Sequence, residues 1–495
     1  MISAPKGYAE ALRGAKVVVD VAERRQSIRK ALDKVTRTVA GARWREDEAL
    51  IETVVHLTEW PTAILGDFEA EYLALPEEVL VTVMRDHQKY FAVEGPDGKL
   101  LPHFLAVMNI QVDAVGETTI RHGNQKVLRA RFKDARFFWD FDQKTPLADR
   151  VESLKNVTFQ KELGSYYWKT EQNLAVAGRL AAVVKAAGVA FDETALLKAV
   201  ELAKTDLTTE LVKEFTELQG VIGGLYAKAQ GLGEKVGDAI YAQYMPASVE
   251  DAIPSTVEGQ LLGLADRIQT IVAMFGIGAA PTGSKDPFAL RRAANAIVKI
   301  LAESGLPLTL GDAVAAGGAD GANREQVAAF LRERLNFYLK DVRGFAYDVV
   351  AAVLAADAND VRDAIARAEA LTAARASEDF AAISAAFKRI KNILRQAEEK
   401  GFARGNWADV KAAEALSLRD AAQNVAPQVE RLREQRNYAE ALALIATLRP
   451  TVDAFFDKVM VLEPDEKVRG ANLGLIDGVL RGFSGIADFS EIVTG

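Results

Sequence analysis

The spacing of apolar positions divides the chain into a mixed first part and a helical remainder. In the first part, residues 16–20 read as a short strand and 22–38 as a charged amphipathic helix. Two β-prone runs, YFAV at 90–93 and HFLAVM at 103–108, flank the turn residues EGPDG and predict a hairpin. Beyond this part Ala, Leu, Glu and Lys dominate, which predicts helices.

The helical remainder has two predicted interruptions. Residues 195–218 and 261–275 repeat apolar positions every three or four residues, so each predicts a helix. The glycine-rich stretch 276–284 ends this pattern, and a new helix is predicted near Pro287, because proline is tolerated in a first helical turn. A second glycine-rich break is predicted at 311–321.

The last part of the chain reads as an all-helical unit. Six apolar residues spaced three or four apart predict the buried stripe of one helix: Phe380, Ile383, Phe387, Ile390, Leu394 and Ala397. Its opposite face holds Lys388, Lys391, Asn392 and Arg395. Further helices are predicted at 438–448 and 465–480, with a short segment at 451–460 between them.

Composition limits the possible chemistry. The 495 residues are 49% hydrophobic and suggest three or four domains. Because the chain has no cysteine, thiolate zinc sites, thiol catalysis and disulfides are excluded. Neither a membrane-spanning apolar run nor a signal peptide's apolar stretch is present, which predicts a cytoplasmic protein without a membrane partner.

The distribution of charge matters more than the net charge of -8. Residues 121–136 carry six Lys or Arg against one Asp, 285–299 carry four against one, and 388–404 carry six against two Glu. Each cluster has two interpretations, a solvated helix face or a surface for the phosphates of a nucleic acid. The third cluster favours phosphates most, since Lys388, Lys391 and Arg395 share one helix face beside Asn392.

The loop PTGSKDPFALRR at 281–292 is the most unusual string in the chain. A loop of this kind that opens a helix can hold an anion, with Lys285, Arg291 and Arg292 as phosphate contacts. The same residues can equally cap the helix, so both interpretations stay open. We find no P-loop, HExxH, GxSxG or dinucleotide motif, and therefore predict neither a catalytic residue nor a metal site.

Several strings resemble the β subunit of bacterial glycyl-tRNA synthetase, the heterotetrameric α2β2 kind. They cover nearly the whole chain in order, at 84–91, 127–139, 159–164, 214–220 and 281–292. In addition, FKRIKNIL at 387–394 and VDAFFDKVM at 452–460 resemble the helical anticodon-binding domain shared with arginyl-tRNA synthetases. The family's usual Arg-Asn-Arg pattern near the last helix reads RGANL at 469–473, where one basic residue is absent.

The resemblance implies a mainly α, multidomain fold. Its parts would be an α/β portion at 1–148, an HD-like all-helical domain at 149–305, a helical linker or body at 306–371, and an all-helical anticodon-binding domain at 372–495. Family members carry a long preceding segment, so the chain is expected to be N-terminally shortened. Because no histidine follows His122, the HD-like domain is expected to lack metal ligands, which leaves Asp206 as a polar position without a metal.

The implied function is tRNA binding within the enzyme that joins glycine to tRNA(Gly). ATP and magnesium would be used by the complex, with adenylate chemistry on the separate α subunit and no cofactor on this chain. The expected tRNA contacts are Lys388, Arg389, Lys391, Asn392 and Arg395, with Lys285, Arg291 and Arg292 as a second site. The alternatives are an HD-like phosphohydrolase relative and a non-catalytic helical RNA-binding scaffold.

Overall fold

The computed structural model describes residues 7–493 and is predominantly helical, as predicted. The helices are α1 (Tyr8–Gly14), α2 (Val21–Thr36), α3 (Glu48–Leu57), α4 (Glu77–Thr82), α5 (Ala114–Asp142), α6 (Leu147–Arg150), α7 (Tyr166–Ala186), α8 (Glu193–Leu202), α9 (Glu210–Glu214), α10 (Val221–Ala229), α11 (Glu234–Tyr241), α12 (Val257–Gly276), α13 (Leu290–Glu303), α14 (Leu310–Ala316), α15 (Gly321–Phe337), α16 (Tyr347–Ala355), α17 (Val361–Ala374), α18 (Glu378–Glu399), α19 (Ala413–Glu434), α20 (Tyr438–Ala446), α21 (Arg449–Lys458) and α22 (Glu466–Phe483). The strands are β1 (Arg43–Trp44), β2 (Thr62–Asp67), β3 (Phe91–Glu94), β4 (Leu100–Met108), β5 (Thr158–Gln160) and β6 (Gly164–Ser165).

A four-stranded antiparallel sheet lies in the first part of the chain, with strand order β1-β3-β4-β2. The predicted hairpin is its centre, since Phe91 of β3 pairs with Leu105 of β4. Helices α2 and α3 contribute Ile28 and Ile51 to a core that they share with the hairpin. Burying these apolar side chains against the sheet is what stabilises its short strands.

Residues 16–20 do not form the predicted strand. Lys16 has a φ of +64°, a left-handed conformation that interrupts an extended run. Val18 makes one backbone hydrogen bond, to the carbonyl oxygen of Glu59, and Asp20 caps α2. The apolar run Val17-Val18-Val19 therefore belongs to a connecting segment with a single buried side chain, Val18.

Contacts between residues divide the chain into two compact units. The first contains residues up to 171 together with 198–242, and the second contains 172–197 together with 243 onward. Each unit is thus assembled from two separate stretches of chain. The four-part division at 149, 306 and 372 does not coincide with these units and stays a prediction, as does the HD-like fold of its second part.

The single helix predicted at 195–218 is wrong, because the chain leaves the helix after Leu202. The hydroxyls of Thr205, Thr208 and Thr209 donate to the carbonyl oxygens of residues three positions earlier. Such local bonds compete with a continuous helix, and Thr209 also caps α9. Short turns replace the helix, although the apolar positions are buried as their spacing predicts.

Two other predicted helix boundaries are wrong. Helix α13 begins at Leu290 rather than near Pro287, because Ala289 is left-handed with a φ of +53°. The predicted break at 311–321 contains helix α14, which starts with a capping box between Thr309 and Asp312. The capping signal outweighs the glycine content, and the chain leaves the helix only at Gly317.

The predicted C-terminal stripe is confirmed. Helix α18 is continuous, and all six apolar positions from Phe380 to Ala397 are buried. Phe387 packs edge-on against Phe483 of α22 and Phe489, at ring-centre distances of 6.3 and 5.3 Å. These aromatic contacts fix the orientation of α18 about its axis, so its opposite face points toward solvent.

Candidate nucleic-acid interface

The first basic cluster, at 121–136, lies on helix α5. Its arginines pair with acids that come from other elements of the same unit: Arg129 with Glu69, Arg131 with Glu214 at 3.3 Å, and Arg136 with Glu71 at 3.1 Å. Arg121 pairs with Glu117 one turn earlier. Most of the positive charge of this cluster is therefore balanced within the fold.

The second cluster surrounds the start of α13. The carboxylate of Asp286 accepts hydrogen bonds from the backbone amides of Leu290 and Arg291, at 2.8 and 2.9 Å. Those amides are the groups that would hold an anion at a helix N-terminus. Of the two interpretations left open for this loop, the geometry supports helix capping.

The three predicted contact residues of this loop are placed differently. Lys285 and Arg292 are exposed, while the Arg291 guanidinium donates to the carbonyl oxygen of Gly283 at 2.7 Å. Lys299, the last cation of the cluster, is buried and pairs with Glu303 at 2.6 Å. Two cations thus extend into solvent here, and their contact with RNA stays a prediction.

The third cluster lies on the outer face of α18. All five predicted contact residues, Lys388, Arg389, Lys391, Asn392 and Arg395, are exposed. Lys388 and Arg395 have no acidic partner within residues 7–493, and Arg395 donates to the side-chain oxygen of Asn392 at 3.4 Å. Together with Arg389, this face presents three cations without an acidic partner and one amide, which can bind phosphate oxygens and base edges.

Two other side chains of this face contact residues that lie outside α18. The guanidinium of Arg389 stacks on the ring of Phe456, 4.3 Å from its centre. Lys391 donates to Asp488 at 2.6 Å and lies 3.5 Å from Glu491. The hydrogen bond to Asp488 is the largest of the influences that raise the pKa of Lys391, so this ammonium stays charged, but its charge is balanced internally.

A glycine ladder along α22 was not recognised from the sequence. Gly470, Gly474 and Gly478 recur every four residues, and a Cβ at Gly474 would lie 2.1 Å from the carbonyl oxygen of Gly405. The segment around Gly405 therefore packs directly on the helix backbone, with the Gly405 amide bonded to Gly470 at 2.8 Å. The four-residue spacing of glycines was the signal that could have revealed this contact.

The segment packed on this ladder brings an aromatic ring next to a cation. The guanidinium of Arg469 lies 4.0 Å from the ring centre of Phe402 and also donates to the carbonyl oxygens of Glu463 and Pro464. Asn472, the polar residue of the RGANL string, is buried and donates to the carbonyl oxygen of Met460 at 3.3 Å. Asn472 thus serves the fold here, whereas Arg469 presents a stacked cation near the surface.

Two of the buried carboxylates are Asp206, which the sequence singles out only as a polar position without a metal, and Asp142, which it does not signal. Asp142 accepts from the amides of Glu210 and Leu211, both at 2.9 Å, and from the hydroxyl of Tyr226 at 3.2 Å, and it pairs with Arg150. Burial raises the pKa of Asp206 to about 6, although the amide of Gly220 donates to it and opposes the shift. Both carboxylates organise backbone within the first unit, and sequence spacing carried no signal of that role.

The part of the chain that the structure describes holds no group of three or more His, Cys, Asp or Glu residues that could bind a metal ion. His87 instead contacts the ring of Phe215 edge-on, at 5.0 Å between ring centres, as a structural histidine does. The phosphohydrolase interpretation therefore gains no support from the arrangement of side chains in 7–493. Over the same range, no helix is long and apolar enough to cross a membrane.

Two parts of the chain match models of known protein families. Residues 383–485 match the family model described as the DALR anticodon binding domain, and this range contains all five predicted contact residues of α18. Residues 1–355 match the model described as the glycyl-tRNA synthetase beta subunit. The chain is thus an aminoacyl-tRNA synthetase subunit with a helical anticodon-binding domain at its C-terminal end.

The similarity to individual relatives extends over nearly the whole chain. This chain is 64% identical to the glycine–tRNA ligase beta subunit of Acidobacterium capsulatum. The alignment covers 99% of this chain and 72% of the relative. The corresponding proteins of Phenylobacterium zucineum and Moorella thermoacetica are 41% and 39% identical, each over 98% of this chain and 71% of the relative. The chain belongs to the glycyl-tRNA synthetase β-subunit family.

Proposed function

We propose that this chain binds tRNA(Gly) as the β subunit of an α2β2 glycine–tRNA ligase in the cytoplasm. The observation that carries the proposal is the uncompensated basic face of α18, which lies inside the range that matches an anticodon-binding domain. The separate α subunit would carry out adenylate formation with ATP and magnesium. This chain would bind no cofactor and would position the tRNA for the α subunit.

The side chains of α18 suit the recognition of an RNA loop. Lys388 and Arg395 can neutralise backbone phosphates, because no carboxylate in 7–493 competes for them. The Arg389 guanidinium lies over the ring of Phe456 and has no acidic partner within 7–493, so its N–H groups can donate to a base or a phosphate. The amide of Asn392 can donate to the edge of an unstacked base. Lys391 would have to leave Asp488 in order to contact RNA, so its contribution is expected to be smaller.

Charge reversal of the free cations tests the proposal. For Lys388→Glu/Arg395→Glu we expect the affinity for tRNA(Gly) to fall at least about 10-fold at moderate salt. The slope of log K against log salt should also become shallower, by roughly 0.7–0.9 for each lost phosphate contact. Binding is measured with the complete chain over a salt series, and glycylation is assayed after the α subunit is added.

A matched control is available on helix α2. Lys30 and Lys34 are exposed and also lack an acidic partner within 7–493, so Lys30→Glu/Lys34→Glu changes the net charge by the same amount. We expect this control to bind tRNA(Gly) nearly as well as the unmodified chain does. If both double variants lose affinity equally, or if neither does while circular dichroism shows intact folds, the assignment of α18 is wrong.

A further inference from the structure

A small cavity opens in the second unit between α14, α15 and the segment that precedes α17. Its volume is about 160 Å³, and its apolar wall includes Leu310, Val314 and Ala358, all buried. Arg324 and Arg332 line it from α15, where eight residues, or about two helical turns, separate them. The cavity therefore combines an apolar wall with two guanidinium groups.

These two arginines are unusual in having no partner. Among the arginines of residues 7–493, most make a side-chain hydrogen bond, an ion pair or a ring contact, for example Arg343 with Glu369 and Arg375 with Asp348. The side chains without one are Arg37, Arg292, Arg324, Arg332 and Arg431. That two of them line one cavity indicates a shared role.

No carboxylate balances the two charges, since no Asp or Glu of the described chain lines this cavity. The two acids that flank the lining segment Ala358-Asn359 are engaged elsewhere. Asp357 accepts from the amide of Asn359 at 3.0 Å, and Asp360 caps α17 and pairs with Arg436. An anion bound in this cavity would be attracted by both guanidinium groups.

Asn359 completes a set of donors. Its side-chain oxygen accepts from the amide of Gly311 at 2.7 Å, so its NH2 group is the part of the side chain that can bind a ligand. The absence of a side chain at Gly311 leaves room for this contact, because a Cβ there would lie 2.9 Å from that oxygen and displace it. Two guanidinium groups and one amide donor match the oxygens of a phosphate, which are acceptors only.

We propose that this cavity binds a phosphate group of an RNA backbone. The choice of RNA rests on the proposed function, whereas the phosphate chemistry rests on the donors alone. Pockets that enclose whole small molecules measure about 300–1,000 Å³, so a cavity of about 160 Å³ holds a phosphate and part of its sugar, with the remainder of the ligand outside. The alternative ligand with the same chemistry is a free inorganic phosphate ion.

Neutral substitution of both arginines tests the site. In the complete chain, Arg324→Gln/Arg332→Gln should weaken tRNA(Gly) binding at least about fivefold and reduce the salt slope by roughly 0.7–0.9 per lost contact. The matched control is Lys30→Gln/Arg37→Gln, which removes two exposed, unpaired cations from α2 and its C-terminal end. In a second arm, inorganic phosphate is titrated at constant ionic strength and the thermal unfolding midpoint is recorded.

The outcomes separate the two sources of phosphate. Weaker tRNA binding by the double variant alone, with an unchanged control, supports an RNA phosphate. If tRNA binding is unaffected but inorganic phosphate raises the midpoint of the unmodified chain and not of the double variant, the phosphate site stands and its RNA source is wrong. No difference in either arm overturns the inference. If the unmodified chain fails to bind tRNA(Gly), the proposed function is wrong. The titration with inorganic phosphate then shows by itself whether the cavity binds phosphate.

Discussion

Helices α5 and α18 look alike in the sequence and differ in the fold. Both are long, both bury an aromatic residue, and both carry six basic residues in or next to them, at 121–136 and 388–404. On α5 the arginines meet Glu69, Glu71 and Glu214. Of the six basic residues in each cluster, two on α5, Lys126 and Lys133, and four at 388–404 meet no acid within 7–493. Local charge density therefore does not identify a binding surface until the residues that face it are known.

The C-terminal ends of α5 and α18 also differ. Its last residue, Asp142, is buried and bonded to the start of α9, to Tyr226 and to Arg150. Helix α18 ends with exposed glutamates, Glu398 and Glu399. Most charges around α5 are thus paired within the first unit, whereas Lys388, Arg389 and Arg395 of α18 meet no acid within 7–493 and are available to a ligand.

The largest expected effect comes from Asp142→Ala. The change leaves Arg150 without its carboxylate and removes the acceptor of two backbone amides, so the free energy of unfolding should fall by about 3–5 kcal/mol. Urea denaturation measures the loss. The control is Asp140→Ala, on the same helix but exposed, which should cost less than about 0.5 kcal/mol. Similar losses for both variants would show that Asp142 does not organise this unit.

The second prediction concerns pH and the other buried carboxylate, Asp206. Its folded-state pKa of about 6 exceeds its ordinary value of 3.8, so between these pH values the folded state holds a proton that the unfolded chain has released. Stability should therefore fall as pH rises from about 4 to 6, by an amount on the order of 3 kcal/mol, and stay lower above that range.

Asp206→Asn keeps an acceptor oxygen for the amide of Gly220 but cannot ionise. The stability difference between the unmodified chain and this variant should therefore change with pH between 4 and 6, as urea midpoints at several pH values would show. A pH-independent difference would contradict a raised pKa. The affinity for tRNA(Gly) should not follow this titration, because Asp206 belongs to the first unit and α18 to the second.

The smallest expected effect comes from removing the ion pairs of α5. Arg129 and Arg131 are about half exposed, so Arg129→Gln and Arg131→Gln should each cost less than about 1 kcal/mol of stability. Binding of tRNA(Gly) should stay within about twofold of the unmodified chain, as measured in the same salt series as for α18. If these changes weaken binding as strongly as Lys388→Glu/Arg395→Glu does, the two helices do not differ in function.

The elements whose conformation depends on residues close together in the sequence were predictable. The hairpin of β3 and β4 follows from alternation and turn residues, and the buried stripe of α18 follows from its helical spacing. The exposure of Lys388 and Arg395 follows from the same spacing. The break after Leu202 and the start of α13 at Leu290 rather than near Pro287 were not predicted, since they depend on threonine hydroxyls and on one left-handed residue.

The family, the mainly helical fold and the face of α18 that meets solvent all follow from the sequence, because strings of residues and helical periodicity are local properties. Which charges remain uncompensated depends on how the helices pack. Glu214 lies far along the chain from Arg131, and Asp488 lies far from Lys391, yet each pair is in contact. The field around a charge depends on distances in space, and folding alone sets those distances.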